Sequence, residues 1–385
     1  MKRIIYWAKN IVETLLRLLP FPARTGLIRV GNPGRNSPVI VTGNFDLTVE
    51  RVKKGLKGLD AYLLVANSRG INVWCASAGG LFTEHDIISI VKTSGIEDLV
   101  DHRRLILPQL SATGISRELV KEKTGWSPLF GPVYAEDLRE YIEKNFHKSE
   151  EMRTVRFDFL QRVEMAAAWA FPISIIPALP IFIFWRNLLI PFCLMIWGLS
   201  FALFLSFPLY SRFIDPGRER KGFILFDFGR GGYRLIFWAL ALLALSIYGI
   251  YAGIFSWVFL LKWGIICLFF ILIICLDLTG STPVFKSGLH PDRLLKVALS
   301  EDLCKGISLC REVCPRNCYE IDKESHKARI PRAELCVKCG ACIVQCPRDA
   351  LCFAAPDGST IPPETIRKYK LNLLGTRKLP ADERK

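Results

Sequence analysis

The chain has 385 residues, of which 51% are hydrophobic, and its mean hydropathy is +0.27. These values exclude an ordinary soluble single-domain protein, because the length allows two or three domains and the apolar content requires a membrane part. The formal net charge is +15, with Lys and Arg in excess in residues 1–36, 212–234 and 364–385. No aromatic residues are interleaved in a nucleic-acid-binding pattern, so the charge favours membrane topology and no nucleic-acid partner is expected.

The thirteen cysteines are an odd number, and seven of them fall in two close-spaced groups with Cys-x-x-Cys and Cys-Pro elements. This pattern is typical of metal ligation under reducing conditions and argues against a disulfide framework.

Residues 1–36 form the first predicted region, an amphipathic membrane-surface segment. Apolar residues recur at helical spacing, and basic residues lie on the other side: Ile4, Ala8, Ile11, Leu15 and Leu18 against Lys2, Arg3, Lys9 and Arg17. The pattern predicts a short helix that lies either on an anionic lipid surface or against the protein itself. It is not a signal peptide, since Lys9, Asn10, Glu13 and Arg17 interrupt the apolar core.

Residues 37–150 alternate short apolar runs with amphipathic stretches, which predicts an α/β domain with a mainly parallel sheet. The predicted strands are 39–42, 62–66, 105–107 and 129–133, and the predicted helices are 48–57, 83–93, 116–123 and 135–145, with Thr48 and Ser116 as N-caps. In open α/β sheets ligands bind outside the carboxyl ends of the strands. Gly43-Asn44, residues 67–75 and Gly131-Pro132 are expected at those ends.

Residues 160–279 are predicted to form a four-helix transmembrane domain with spans near 166–185, 188–211, 235–255 and 257–276. Three prolines, Pro172, Pro177 and Pro180, predict a kinked or partly unwound first span. Cys193, Cys267 and Cys275 are interpreted as small apolar residues.

Four crossings place both chain ends on the side of the basic loop 212–234. The positive-inside rule then predicts a multi-pass protein of the cytoplasmic (inner) membrane whose large domains face the cytoplasm. A five-span arrangement would instead move the C-terminal domain outside, and the sequence leaves that alternative open.

The predicted third domain, residues 296–356, has an α+β dicluster ferredoxin pattern, and residues 357–385 form a basic tail. The run Cys336-x2-Cys339-x2-Cys342-x3-Cys346-Pro is the complete bacterial ferredoxin motif. The earlier run has Cys304, Cys310 and Cys314-Pro, with Ile307 where the second ligand belongs.

Because the last cysteine of each run ligates the other cluster in two-cluster ferredoxins, the two predicted centres differ. Cys336, Cys339, Cys342 and Cys314 complete a 4Fe–4S cluster. The second centre has only Cys304, Cys310 and Cys346, so it is either a 3Fe–4S cluster or a cubane completed by Cys318 or Cys352.

Cys75 stands alone after an apolar strand and allows two interpretations. A lone cysteine beside a tryptophan is most simply a buried core residue. Residues 67–80 are, however, rich in Gly, Ser and Ala, which allows a bulky cofactor to approach closely. None of the five histidines lies in an Asp-x-His-x-x-Gly cobalamin motif, so a thiolate is the credible alternative ligand for a cobalt cofactor.

Residues 69–77 (Arg-Gly-Ile-Asn-Val-Trp-Cys-Ala-Ser), residues 102–109 and Gly131-Pro132-Val133 resemble the mercury-methylation corrinoid protein. The C-terminal part resembles its partner dicluster ferredoxin, fused to it. The Asn-Val-Trp-Cys-Ala core is specific to that family. A more distant resemblance is to the corrinoid iron–sulfur proteins of acetyl-CoA synthesis, which share the cofactor domain.

The resemblance implies a corrinoid in the α/β domain, with Cys75 on a cap helix as the lower axial ligand of cobalt. The other implied cofactor-binding residues are Asn72, Val73, Trp74, Ala76, Gly43 and Gly131. A thiolate donates electron density to cobalt and makes the opposite methyl group more carbanion-like, which suits transfer to a soft electrophile such as Hg(II). The clusters would return the cobalt to Co(I). The implied partners are membrane lipid, an upstream electron donor, and a methyl-donor protein or methyltetrahydrofolate-type methyltransferase.

The sequence departs from that family at three places, one of which is the ligand missing from the earlier cysteine run. Ser77-Ala78-Gly79 follows the motif where the family continues with a lysine, and residues 380–385 lack the cysteine pair with which the partner ferredoxin usually ends. The main hypothesis is a membrane-anchored corrinoid-dependent methyl carrier or methyltransferase with a fused ferredoxin and Hg(II) as candidate acceptor. The alternatives are a paralogous methyl carrier of one-carbon metabolism and a non-corrinoid membrane-bound iron–sulfur electron-transfer protein.

Overall fold

The computed structural model describes residues 2–17, 19–211, 214, 233–275, 278–279, 282–285 and 291–371. The chain divides into two compact units: Met1–Leu18 with Phe157–Gly280 and Phe285–Leu289, and Leu19–Arg156 with Ser281–Val284 and His290–Lys385. Most of the predicted basic loop 212–234 and residues 372–385 of the predicted tail lie outside the described residues.

The strands and helices are numbered in chain order. The strands are β1 Gly26–Val30, β2 Val39–Gly43, β3 Ala61–Ala66, β4 Arg104–Leu107, β5 Ser127–Phe130, β6 Lys296–Leu299, β7 Glu320–Ile321, β8 Ala328–Arg329, β9 Leu351–Ala354 and β10 Thr360–Ile361. The helices are α1 Lys2–Leu15, α2 Asp46–Gly55, α3 Val73–Ala78, α4 Glu84–Thr93, α5 Arg117–Thr124, α6 Leu138–Glu143, α7 Glu150–Arg153, α8 Phe159–Phe184, α9 Leu189–Leu205, α10 Phe207–Tyr210, α11 Tyr233–Tyr251, α12 Trp257–Ile274, α13 Leu309–Val313, α14 Ala341–Val344 and α15 Pro363–Lys368.

A five-stranded sheet in the order β1-β3-β2-β4-β5 forms the centre of the α/β domain. The strands β3, β2, β4 and β5 are parallel, and β1 pairs antiparallel with β3. Every residue of β2 and β3 is buried, which explains why both read as continuous apolar runs. The predicted α/β class with a mainly parallel sheet is confirmed. The chain order reverses between β2 and β4, so the crevice outside their carboxyl ends is the expected ligand position.

Three local predictions in this domain differ from the structure. The strand β1 lies inside residues 1–36, which were predicted as a membrane-surface segment, so the sheet begins before the predicted boundary at residue 37. The strand β5 ends at Phe130 and not at Val133, because Pro132 has no N–H to continue the ladder. Thr48 is not an N-cap, since α2 begins at Asp46. The Ser116 cap is confirmed: its Oγ accepts from the Leu119 N–H at 3.4 Å.

In the first unit, four described helices are long and apolar enough to cross a membrane: Phe159–Phe184, Arg186–Leu205, Tyr233–Tyr251 and Trp257–Ile274. They correspond to the four predicted spans. The first is helical throughout, so the partly unwound alternative is wrong, and the kink at its three prolines stays a prediction.

The helix α1 packs against α8 while part of its apolar face stays outside. Arg17, just after α1, forms an ion pair with Glu164 at 3.5 Å. Trp7, Ile11 and Val12 are each at least half exposed. The helix therefore combines the two arrangements that the sequence left open: it packs on the protein and presents an apolar surface.

Residues 291–371 form a small cysteine-rich module. A three-stranded antiparallel sheet, β10-β9-β6, and the hairpin β7-β8 frame the short helices α13 and α14. The module reaches beyond the predicted end at residue 356, because Ile366 of α15 is buried in its core.

Candidate functional site

Asn44, directly after β2, organises the loop that follows β3. Its Oδ1 accepts from the Ser68 N–H at 2.8 Å, the Ser68 hydroxyl at 3.2 Å and the Gly70 N–H at 3.0 Å. Its Nδ2 donates to the Ala23 carbonyl at 3.2 Å. One buried amide thus fixes the loop that leads into α3.

Two glycines permit this close packing. A Cβ at Gly43 would lie 2.6 Å from the Ser68 Oγ, and one at Gly70 would lie 2.7 Å from the Pro22 nitrogen. Gly70 also has φ +69°, a conformation that side chains with a Cβ rarely adopt. Gly43, predicted as a cofactor contact, therefore has a demonstrable packing role at the same edge.

The helix α3 carries Cys75 at the surface. Asn72 is its N-cap and accepts the Cys75 N–H through Oδ1 at 3.0 Å. Val73 and Ala76 are buried in the core of the α/β domain, whereas Cys75 is exposed. The core-cysteine interpretation of Cys75 is therefore wrong. The tight loop and the buried face of the helix hold this thiol outward.

Gly131 lies at a different place, directly after β5 at the edge of the sheet. Its N–H donates to the Leu107 carbonyl at 2.8 Å, and a Cβ would lie 2.8 Å from the Ile106 Cγ2. In the structure Gly131 has a packing role after β5, whereas the predicted cofactor contacts in residues 72–76 lie on α3 and at its N-cap.

Three buried hydroxyls at the carboxyl edge were not singled out by the sequence. They are Thr42 in β2, Ser77 in α3, and Thr113 in the 3-10 turn Gln109–Thr113 that packs against α3. Within the described residues, none of these hydroxyls has a hydrogen-bond partner. The sequence could have indicated Thr42, because it is a polar residue near the end of an otherwise apolar strand.

The cysteine-rich module contains two cavities lined by cysteines. Cavity A is lined by Cys314, Cys318, Cys336, Cys339 and Cys342, and cavity B by Cys304, Cys310 and Cys346. The structure thus brings together the two predicted ligand sets, each drawn from both sequence runs. Ile307 also lines cavity B, at the position of the missing fourth cysteine.

The two leftover cysteines do not complete cavity B. Cys318 lines cavity A, where its N–H points to the Cys314 sulfur at 3.3 Å, and Cys352 is in the lining of neither cavity. A side-chain hydrogen bond between the two thiols lowers the pKa of Cys314 and raises the pKa of Cys318.

Buried thiols and buried cations lie together in this module. Burial raises the pKa of Cys310 to about 12 and raises the pKa of Cys342 well above its usual value, so these thiols need positive charge beside them to ionise. Arg316 lines cavity A and donates to the Val155 carbonyl at 3.3 Å, while its buried Nε has no partner among the described residues.

The described cysteines form no disulfide bond, and no three His, Cys, Asp or Glu side chains of the described residues converge closely enough to hold a single metal ion. Cysteines spread around a cavity suit a larger group. The donor set of cavity A fits a 4Fe–4S cluster, and that of cavity B fits a cluster with three protein ligands.

The profile of the CO dehydrogenase/acetyl-CoA synthase delta subunit family (CdhD) matches residues 7–142. That range includes the whole five-stranded sheet and Cys75, and it ends before the membrane helices and the cysteine-rich module.

Curated relatives are named as subunits of an acetyl-CoA decarbonylase/synthase complex or of a corrinoid/iron-sulfur protein. The acetyl-CoA decarbonylase/synthase complex subunit gamma of Archaeoglobus fulgidus is 34% identical over 133 residues, covering 34% of this chain and 28% of the relative. The subunit of the same name from Methanopyrus kandleri is 37% identical over 127 residues, covering 32% and 27%. The corrinoid/iron-sulfur protein large subunit of Moorella thermoacetica is 27% identical over 144 residues, covering 37% and 31%. The chain therefore spans less than a third of the length of the curated relatives it matches.

These names correspond to the more distant of the two resemblances seen in the sequence, the corrinoid iron–sulfur proteins of acetyl-CoA synthesis. The similarity to the corrinoid/iron-sulfur protein supports the predicted cofactor class for the α/β domain.

Proposed function

We propose that this protein is a membrane-anchored, corrinoid-dependent methyl carrier of one-carbon metabolism with its own iron–sulfur electron supply. The observation that carries the proposal is the position of Cys75. An exposed thiol lies on α3 beside the carboxyl edge of a parallel sheet, in a region similar to corrinoid-binding subunits.

The α/β domain fits a corrinoid at this edge. Cys75 would be the lower axial ligand of cobalt, and Asn72 holds the backbone of that residue in place. When bound, the corrinoid supplies a cobalt centre that accepts and donates methyl groups.

The cysteine-rich module fits two iron–sulfur clusters. Cys314, Cys336, Cys339 and Cys342 would hold a 4Fe–4S cluster in cavity A, and Cys304, Cys310 and Cys346 a 3Fe–4S cluster in cavity B. Clusters bound by thiolates carry net negative charge, which the buried Arg316 would balance. Their role is to return the cobalt to its reduced, methyl-accepting state.

Four apolar helices would anchor the protein in the cytoplasmic membrane, with both modules on the cytoplasmic side. Lipid is then one partner. The others are a one-electron donor for the clusters and a methyl-donor protein or methyltetrahydrofolate-type methyltransferase.

Metal analysis of anaerobically purified, full-length protein tests the class. We expect cobalt and iron together. Iron without cobalt, under conditions that load a known corrinoid protein, would instead establish the non-corrinoid electron-transfer alternative.

Substitution of the thiol tests the site. Cys75→Ala should abolish the thiolate-ligated, base-off cobalt spectrum while leaving the iron content unchanged. Cys352→Ala, which changes a half-buried cysteine outside both cavities, is the matched control. The same cobalt spectrum in Cys75→Ala and wild type would refute the axial-ligand role.

Methylation of Hg(II) is the second candidate function, favoured by the exposed Cys75 within Asn-Val-Trp-Cys-Ala. It requires carbanion-like methyl transfer to mercury. Anaerobic incubation of methylated protein with Hg(II) distinguishes the two: methylmercury above the yield of free methylcobalamin supports mercury as acceptor, and none leaves the one-carbon role.

A further inference from the structure

The cysteine-rich module is fixed to the α/β domain by buried polar side chains. On one side, Gln345 is only 2% exposed. Its Nε2 donates to the carbonyls of Ala112 at 2.8 Å and Ile115 at 2.6 Å, and its Oε1 accepts from the Arg117 N–H at 3.4 Å. A single amide thus joins α14's end to the loop that packs beneath α3.

A second set of contacts joins residues 311 and 312 of the module to the α/β domain. The Lys148 ammonium donates to the Gln109 Oε1 at 2.9 Å and to the Glu312 carbonyl at 2.8 Å. Arg153 donates to the Arg311 carbonyl at 3.3 Å, and the Gln109 amide donates to the Arg153 carbonyl at 2.7 Å. We call Gln109, Lys148, Arg153 and Gln345 the latch.

The latch holds a segment that joins the two cavities. Residues 311–313 connect Cys310 of cavity B to Cys314 of cavity A. Val313 and Ala341 belong to the hydrophobic core of the α/β domain, and Cys339 packs against it. The lining of cavity B contributes nothing to that core. Cavity A therefore faces the domain that carries Cys75, and cavity B is the outer one.

The contacts between the two domains bury two positively charged side chains. Lys148 is 2% exposed, and its carboxylate neighbour, the 41% exposed Glu312, is 3.6 Å away. Arg153 is also 2% exposed. A buried cation is destabilising unless it is paired or hydrogen-bonded. The amide and carbonyl contacts of Lys148 and Arg153 offset that penalty only while the module stays docked.

We propose that the latch residues are positioning residues that keep cavity A, and not cavity B, against the corrinoid-binding domain. This inference rests on the proposed function. With clusters bound, an external low-potential one-electron carrier would reduce the centre in cavity B and would itself be oxidised. The centre in cavity A would then give up one electron for each electron that the cobalt gains, so the latch residues would keep the donor beside the acceptor.

Hydrogen exchange of the full-length, anaerobically reconstituted protein tests the docking. Lys148→Met should increase exchange in residues 309–317 about tenfold or more, because hydrogen bonds to a charged group are lost. Lys144→Met is the control, since Lys144 is 55% exposed and pairs with Glu140 on the surface. Equal exchange in the two variants would overturn the latch.

Gln345→Glu provides an independent variant if Lys148→Met does not fold. It keeps the side-chain size and removes the two N–H donors to Ala112 and Ile115, so exchange in residues 341–345 should rise. If Gln345→Glu exchanged at the wild-type rate in residues 341–345, that result would also overturn the latch.

Photoreduction tests the positioning role. With iron and cobalt contents matched, cobalt reduction after electron injection should be at least several-fold slower in the latch variants than in Lys144→Met, because electron transfer weakens steeply with distance. An unchanged rate despite faster exchange would refute the positioning role. Purified protein that contains iron but no cobalt would refute the proposed function. The hydrogen-exchange measurements would still test the latch in that case.

Discussion

The two modules that meet at the latch have cores of different chemistry. The α/β domain buries aliphatic and aromatic side chains on both faces of its sheet, such as Leu63, Leu64 and Trp126. The core of the cysteine-rich module combines buried cysteines around two cavities with apolar residues such as Phe353 and Ile366. Apolar burial alone can stabilise the first, whereas the second also buries thiols that metal binding would stabilise.

Removal of iron should produce the largest difference in stability between the two modules. Anaerobic chelation of the full-length protein is expected to unfold residues 291–371, because buried thiols lose the positive charge that balances them, and to leave the sheet protected. Hydrogen exchange measures both in one experiment. Retained protection of the module without iron would show that its core is self-sufficient.

Adding a fourth cysteine to cavity B should change the cluster proposed for that cavity and leave the one in cavity A unchanged. Ile307→Cys supplies the missing fourth sulfur, so we expect the electron paramagnetic resonance signal of an oxidised 3Fe–4S centre to disappear and a second 4Fe–4S signal to appear on reduction. Ile307→Ser is the control, since a hydroxyl of similar size is a poor ligand for iron. A three-iron signal that persists in Ile307→Cys would contradict the assignment of this position.

Asn44→Ala should weaken the α/β side alone. It removes the acceptor for three donors around Ser68 and Gly70, and the loss of these buried hydrogen bonds is expected to cost about 3 kcal/mol. Protection of the loop and cobalt content should fall while iron content stays constant. Asn67→Ala is the matched control, because Asn67 Oδ1 accepts the N–H of Arg69, two residues away. Equal effects of the two changes would refute the organising role of Asn44.

The smallest expected effect is the pH dependence of the latch. Burial lowers the pKa of Lys148 from 10.5 to about 8, with Arg153 adding to the shift and Glu312 opposing it. The folded state therefore binds fewer protons than the unfolded state between pH 8 and 10.5, so its stability rises with pH there.

Between pH 7 and 9 the stability of the docked segment should rise by about 1 kcal/mol relative to Lys148→Met. Exchange of residues 309–313, corrected for the intrinsic pH dependence, measures it. The same pH dependence in the variant would mean that another group titrates.

Much of this molecule could be predicted from local sequence patterns. The strands β2 and β3, the four apolar helices and both cysteine runs have patterns that depend on neighbouring residues only. The strand β1 could not be predicted in this way, because its short half-buried sequence becomes a strand only by pairing with β3. The position of Cys318 was likewise open, since spacing along the chain does not say which cavity a side chain enters.

The sequence by itself determined the chemistry: a lone Cys75 after a buried strand, seven spaced cysteines, and enough apolar length to cross a membrane. Only the tertiary structure decided that Cys75 is exposed, that cavity A faces the α/β core, and that Gln345 bonds Ile115 and Lys148 bonds Glu312 across 230 and 164 residues of chain. The physical reason is that these contacts join segments distant in sequence. Their geometry is set by how the buried faces of whole elements pack, and no local pattern contains it.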